Sequence, residues 1–91
     1  MPAHAYRPEI LTLLERHGLR PGPGSDPAAV YDLLKSIYTF EVRRLRLLHQ
    51  EKERVLGPQP VDDLRRSLAA LLDRYPALRL PSHHWVERGP D

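Results

Sequence analysis

The segment Pro27–Leu56, PAAVYDLLKSIYTFEVRRLRLLHQEKERVL, decides how this chain folds. It contains no glycine, and its single proline stands first, where a helix tolerates proline because that N–H has no intrahelical partner. Gly57 and Pro58 follow directly and form a common helix stop. The sequence therefore predicts one unbroken helix over 27–56, about 45 Å long.

This helix is apolar on more than one side. A helix that packs against a single neighbour needs an apolar stripe only about 100° wide, and the segment from Val30 to Leu48 exceeds that width. The surplus predicts an interface with a partner, most simply a second copy of the chain related by a twofold axis. The alternative is that the C-terminal tail wraps over this face and leaves a monomer. We expect the interface residues to be Tyr31, Leu34, Tyr38, Phe40, Val42, Leu45 and Leu47.

Two shorter helices are predicted on either side of the long one. The first covers about 8–17, starts at Pro8 and stops near Gly18. In the linker that follows, Ser25 or Asp26 can cap the long helix. The other covers about 61–75, with leucines on one face, and ends before Pro76. Short connections make neighbouring helices antiparallel. The segments predict an all-α, three-helix unit in a single domain, 1–91, completed as a bundle by dimerisation.

The remaining residues, 76–91, are too apolar for a free tail. We expect a short extended segment that docks through Trp85, with a strand pair around Pro81 as a further possibility and disorder from about residue 89.

Composition limits the classes of function. The chain lacks cysteine, which excludes disulfides and thiol chemistry, and no run of eighteen apolar residues occurs. We expect a soluble, cytoplasmic protein without membrane contacts. The ten prolines and the predominance of arginine over lysine are typical of a GC-rich coding sequence or of adaptation to heat.

Nucleic acid binding is the main alternative to a protein interface. Arg43 and Arg46 lie three residues apart on the long helix and could contact phosphates together. The formal net charge is only +2, however, and acidic residues accompany most basic ones; Glu41, for example, is placed to pair with Arg44. We therefore expect these arginines to solvate the helix.

Metal binding and catalysis receive little support. His83, His84 and Glu87 are chemically suitable zinc ligands, but adjacent residues point in different directions. His17 and His49 stand alone near helix ends, and no serine or carboxylate occurs in a catalytic motif. We expect no metal, cofactor or enzymatic activity.

The sequence thus favours a non-catalytic interaction module, an adaptor, assembly factor or regulatory subunit that self-associates through its long helix. A nucleic-acid-associated protein is the second hypothesis, and a small enzyme or metal binder with its site in a dimer cleft is the third.

Overall fold

A computed structural model describes residues 5–22 and 24–87 of the chain. The described part is mostly helical, with one long helix and a two-stranded sheet. Its elements are β1 Ala5–Tyr6, α1 Pro8–Glu15, α2 Pro27–Leu56, α3 Val61–Asp73, the 3-10 helices Pro76–Arg79 and Ser82–His84, and β2 Val86–Glu87.

Local signals fix the helix ends. The Asp26 side chain accepts a hydrogen bond from the backbone N–H of Ala28 at 3.2 Å, which supplies the predicted cap of α2. Gly57 ends α2 with a φ of +88°, a conformation that glycine adopts without a Cβ clash. The predicted bounds of α2 are confirmed. Helix α1 ends at Glu15, two residues earlier than expected, because the turn leading to Gly18 replaces its last helical bonds.

The chain divides into two compact units, and α2 contributes to both. Residues up to Lys35 and those from Pro76 onward form the first unit, whereas Ser36–Tyr75 form the second. The expectation of a single domain stays a prediction.

Trp85 is the centre of the first unit. Its side chain has no exposed surface, and its indole N–H donates to the carbonyl oxygen of Ala77 at 3.1 Å. The Tyr31 ring lies tilted against it, with 5.5 Å between ring centroids. Ile10, Leu14 and Leu34 are also fully buried. The structure thus places the predicted anchor of the C-terminal segment in the core of this unit.

The C-terminal segment is not extended throughout, and the expectation of a wholly helical chain with an extended tail was too simple. Pro76 and Pro81 each begin a short turn, because proline fixes φ near the helical value yet cannot continue an α-helix. Strand β2 then pairs antiparallel with β1, Tyr6 opposite Val86. The expected strand pair around Pro81 is therefore replaced by pairing with the N-terminal segment. The predicted disorder from about residue 89 lies outside the described residues.

The second unit contains residues 36–56 of α2 and the whole of α3. These two helices run antiparallel. Glu41 accepts a hydrogen bond from Tyr75 near one end of the pair, and Lys52 faces the groove shared with Gln59 and Asp63 near the other. Helix α3 stops at Asp73, so Tyr75 leaves the predicted helix. Only Leu71 and Tyr75 are buried in this unit.

No helix of the described residues is both long and apolar enough to cross a membrane.

Replacing Trp85 with Ala should cost about 3–5 kcal/mol in the free energy of unfolding, since the change removes a buried aromatic and leaves a cavity. Trp85→Phe retains an aromatic ring but leaves the Ala77 carbonyl without its donor, so we expect a smaller loss of about 1–3 kcal/mol. Urea denaturation would measure both.

The exposed neighbour His84 provides the control, and His84→Ala should stay within about 0.5 kcal/mol of the parent. An unchanged unfolding midpoint for Trp85→Ala would show that the C-terminal segment does not contribute to this core.

Candidate interaction face on the long helix

One side of the second half of α2 exposes large apolar side chains. The exposed fraction is 69% for Phe40, 64% for Leu47, 52% for Leu48 and 64% for Val55. Seven residues make nearly two helical turns, so Phe40 and Leu47 share one side, as do Leu48 and Val55. Arg44 and Glu51 have the same spacing and lie between them. We call this surface the outer face and define it as Phe40, Arg44, Leu47, Leu48, Glu51 and Val55.

The opposite side of the same helix segment packs within the chain. Leu45 lines a groove against Ser67 and Leu71 of α3, and Leu48 reaches the same groove from the edge of the outer face. The Tyr38 ring meets the Tyr75 ring edge to face, with centroids 5.3 Å apart. Helix α2 is therefore apolar on two sides in this unit, and α3 covers one of them.

The structure separates the seven residues expected to form an interface. Phe40 and Leu47 lie on the outer face. Leu34 is fully buried in the first unit, where a partner could not reach it, and Tyr31 packs on Trp85. The other three, Tyr38, Val42 and Leu45, are half-buried. The sequence pattern had combined residues from the inner and outer sides of one helix, and the interface itself stays a prediction.

The charged residues of this segment differ in their partners. Arg54 donates two hydrogen bonds to Glu51 and thereby lowers the pKa of the Glu51 carboxyl. Within residues 5–22 and 24–87, no ion pair is formed by Arg43, Arg44 or Arg46, and all three are exposed. The expected pairing of Glu41 with Arg44 was wrong: Glu41 accepts a hydrogen bond from Tyr75 and forms no ion pair with Arg44 in the described residues.

Tyr75 and Glu41 form the main polar contact of the second unit. The hydroxyl donates to the Glu41 carboxylate at 2.7 Å, and the Tyr75 side chain is almost wholly buried. Burial raises the pKa of Tyr75 to about 12, with a further contribution from the hydrogen bond to Glu41. Tyr75 is therefore a neutral donor at physiological pH and links the end of α3 to α2.

The four histidines of the described residues do not converge on a common site. His83 and His84 are exposed and meet edge to face, with ring centroids 4.3 Å apart. His49 contacts Glu53 at 3.0 Å on its own helix, and His17 is half-buried. Across the described ranges, no three His, Cys, Asp or Glu side chains gather in a way that could hold a metal ion.

Sequence reasoning missed several members of the outer face. Leu48 and Val55 were not among the expected interface residues, although their seven-residue spacing is visible in the sequence. The matching spacing of Arg44 and Glu51 was also visible. The Tyr75–Glu41 contact gave no such signal, since the two residues are 34 positions apart.

No protein-family model, curated protein or solved structure matches this chain. Its function must therefore be inferred from its own residues. The outer face offers apolar side chains around one positive and one negative charge, which suits contact with another helix.

Replacing Tyr75 with Phe should lower the free energy of unfolding by about 1–2 kcal/mol at neutral pH, because a hydrogen bond to a carboxylate is lost. The parent chain should then lose this advantage as the pH rises from 10 towards 12. In that window the unfolded phenol has released its proton and the folded phenol still holds it, so stability falls with pH.

Urea unfolding of both proteins from neutral pH to pH 12 would measure the difference between them. Tyr38→Phe, which leaves Tyr75 in place, is the matched control and should retain the parent's pH dependence. A constant difference between Tyr75→Phe and the parent across this range would contradict the assignment.

Proposed function

We propose that this chain is a non-catalytic protein–protein interaction module that self-associates through the outer face of α2. The proposal rests on the second unit, which buries few apolar side chains and exposes several large ones. Its roughly 40 residues bury only Leu71 and Tyr75, yet its long helix exposes Phe40, Leu47 and Val55. A helix side that exposes several large apolar side chains together commonly marks a contact with another protein.

A second copy could cover the exposed side of α2 with an identical apolar surface, and closed twofold dimers are the commonest protein assemblies. Such a contact would add a helix against the uncovered side and build a bundle from two copies of the unit. A self-associating module of this kind suits an adaptor, an assembly factor or a regulatory subunit.

Leu47→Glu places a charge at the middle of the outer face and should convert the dimer into a monomer, because a buried unpaired carboxylate is costly. Sedimentation equilibrium at micromolar concentration should give twice the 10.5 kDa chain mass for the parent and the single mass for the variant.

Gln50→Glu is the matched control, since it adds the same charge to an exposed position outside this face and should remain dimeric. Circular dichroism would verify that both variants stay helical. A parent mass of 10.5 kDa would overturn the proposal.

Nucleic acid binding through Arg43 and Arg46 is the competing function. Both side chains are exposed and without an ion pair in the described residues, so they are able to contact phosphates. The formal net charge of +2 gives little general attraction to a polyanion. We therefore expect weak binding at low salt only, equal in the parent and in the variant with Arg43→Gln and Arg46→Gln.

Fluorescence anisotropy with labelled duplex and single-stranded DNA, measured over a salt series, would test this. The double variant should still self-associate, because exposed charges contribute little to stability. Sub-micromolar binding at about 0.15 M salt that disappears in the double variant would favour the competing function.

A further inference from the structure

Self-association through α2 leaves the direction of the two helices to be determined, and this inference rests on the proposed function. In a parallel twofold pair each residue lies opposite its own copy. Arg44 would then face Arg44 of the partner subunit, and Glu51 would face the partner's Glu51. Both residues lie near the middle of the outer face, so these like charges would meet where water is excluded and repel strongly.

We propose that two copies of the chain pair antiparallel across the outer face, about a twofold axis that passes between Leu47 and Leu48. This register sets Leu47 opposite the partner's Leu48. It sets Phe40 opposite the partner's Val55 and, by symmetry, Val55 opposite the partner's Phe40. All four of the large apolar side chains on the face are therefore covered by apolar side chains.

The same register matches the charges. Arg44 lies opposite the partner's Glu51 at two symmetric places, one on each side of the central leucines. Glu51 already accepts hydrogen bonds from Arg54, but a carboxylate has about four acceptor positions and can accept from a second guanidinium. Arg44 has no ion pair within the described part of the chain, so it is available for such a contact.

Two other antiparallel registers match fewer apolar side chains and fewer opposite charges. An axis between Arg43 and Arg44 would set Phe40 opposite the partner's Leu47, but it would bring Arg43 against the partner's Arg44. An axis through Leu47 would set Phe40 opposite the partner's Arg54. Polar residues within an apolar helix seam are known to select orientation and register at some cost in stability. Arg44 and Glu51 perform that selection here.

Cysteine cross-linking tests the direction of the helices, and the absence of native cysteine makes each introduced thiol unambiguous. A mixture of Phe40→Cys and Val55→Cys chains should form a mixed disulfide on mild oxidation. Neither variant should cross-link to itself, because the fifteen-residue offset puts identical positions about 22 Å apart, beyond the roughly 7 Å Cα–Cα limit of a disulfide. Mass spectrometry would identify the products.

Charge reversal provides a second measurement that keeps Phe40 and Val55 intact. Arg44→Glu should weaken self-association at least about tenfold, because each new carboxylate meets the partner's Glu51. Adding Glu51→Arg should restore the affinity to within about threefold of the parent. Arg46→Glu, the same change outside the outer face, should alter the affinity less than about twofold.

The outcomes separate this inference from the proposed function. A parent chain that sediments as a dimer, but whose Phe40→Cys variant cross-links to itself, would overturn the antiparallel register and leave self-association standing. Failure of Glu51→Arg to restore the affinity lost in Arg44→Glu would also overturn the register. A parent chain that sediments as a monomer would overturn both.

Discussion

Helix α2 is apolar on two sides, and each of these sides must be covered by other residues. In the second unit Leu45 packs towards α3 and Tyr38 packs on Tyr75, whereas Phe40 and Leu47 remain exposed on another side. A two-helix unit can cover only one side of its longer helix. In the first unit, Trp85 and the C-terminal turns bury the part of α2 around Leu34. In the second unit, α3 covers one side of α2, and the side that stays exposed is the outer face.

The helices could be predicted from the sequence because their signals are local. Pro8, Asp26 and Gly57 each act within one helical turn, and the bounds of α2 followed from them. The two short turns and the sheet could not be predicted in the same way. Strands of two residues show no periodicity, and β1 pairs with β2 across almost the whole chain. Prolines indicated where the C-terminal segment would turn, but they did not indicate what it would pack against.

The candidate site was only partly predictable, since helical spacing shows which residues share a side but not which side the chain itself covers. Phe40 and Leu47 were identified as interface residues, yet so was Leu34, which the first unit buries completely. That distinction depends on long-range contacts such as Tyr75 with Glu41 and Tyr31 with Trp85. Glu41, the predicted partner of Arg44, accepts a hydrogen bond from Tyr75, and Arg44 forms no ion pair among the described residues.

The environment of the Phe40 ring would show whether the outer face lies between two copies of the chain, because Phe40 is the single phenylalanine of the chain and its signals are unambiguous. In an equal mixture of isotope-labelled and unlabelled chains, an isotope-filtered nuclear Overhauser experiment detects only contacts between different copies. Self-association through the outer face predicts intermolecular contacts from the Phe40 ring to valine or leucine methyl groups. A Phe40 ring without any intermolecular contact, at a concentration where the parent chain is fully associated, would contradict it.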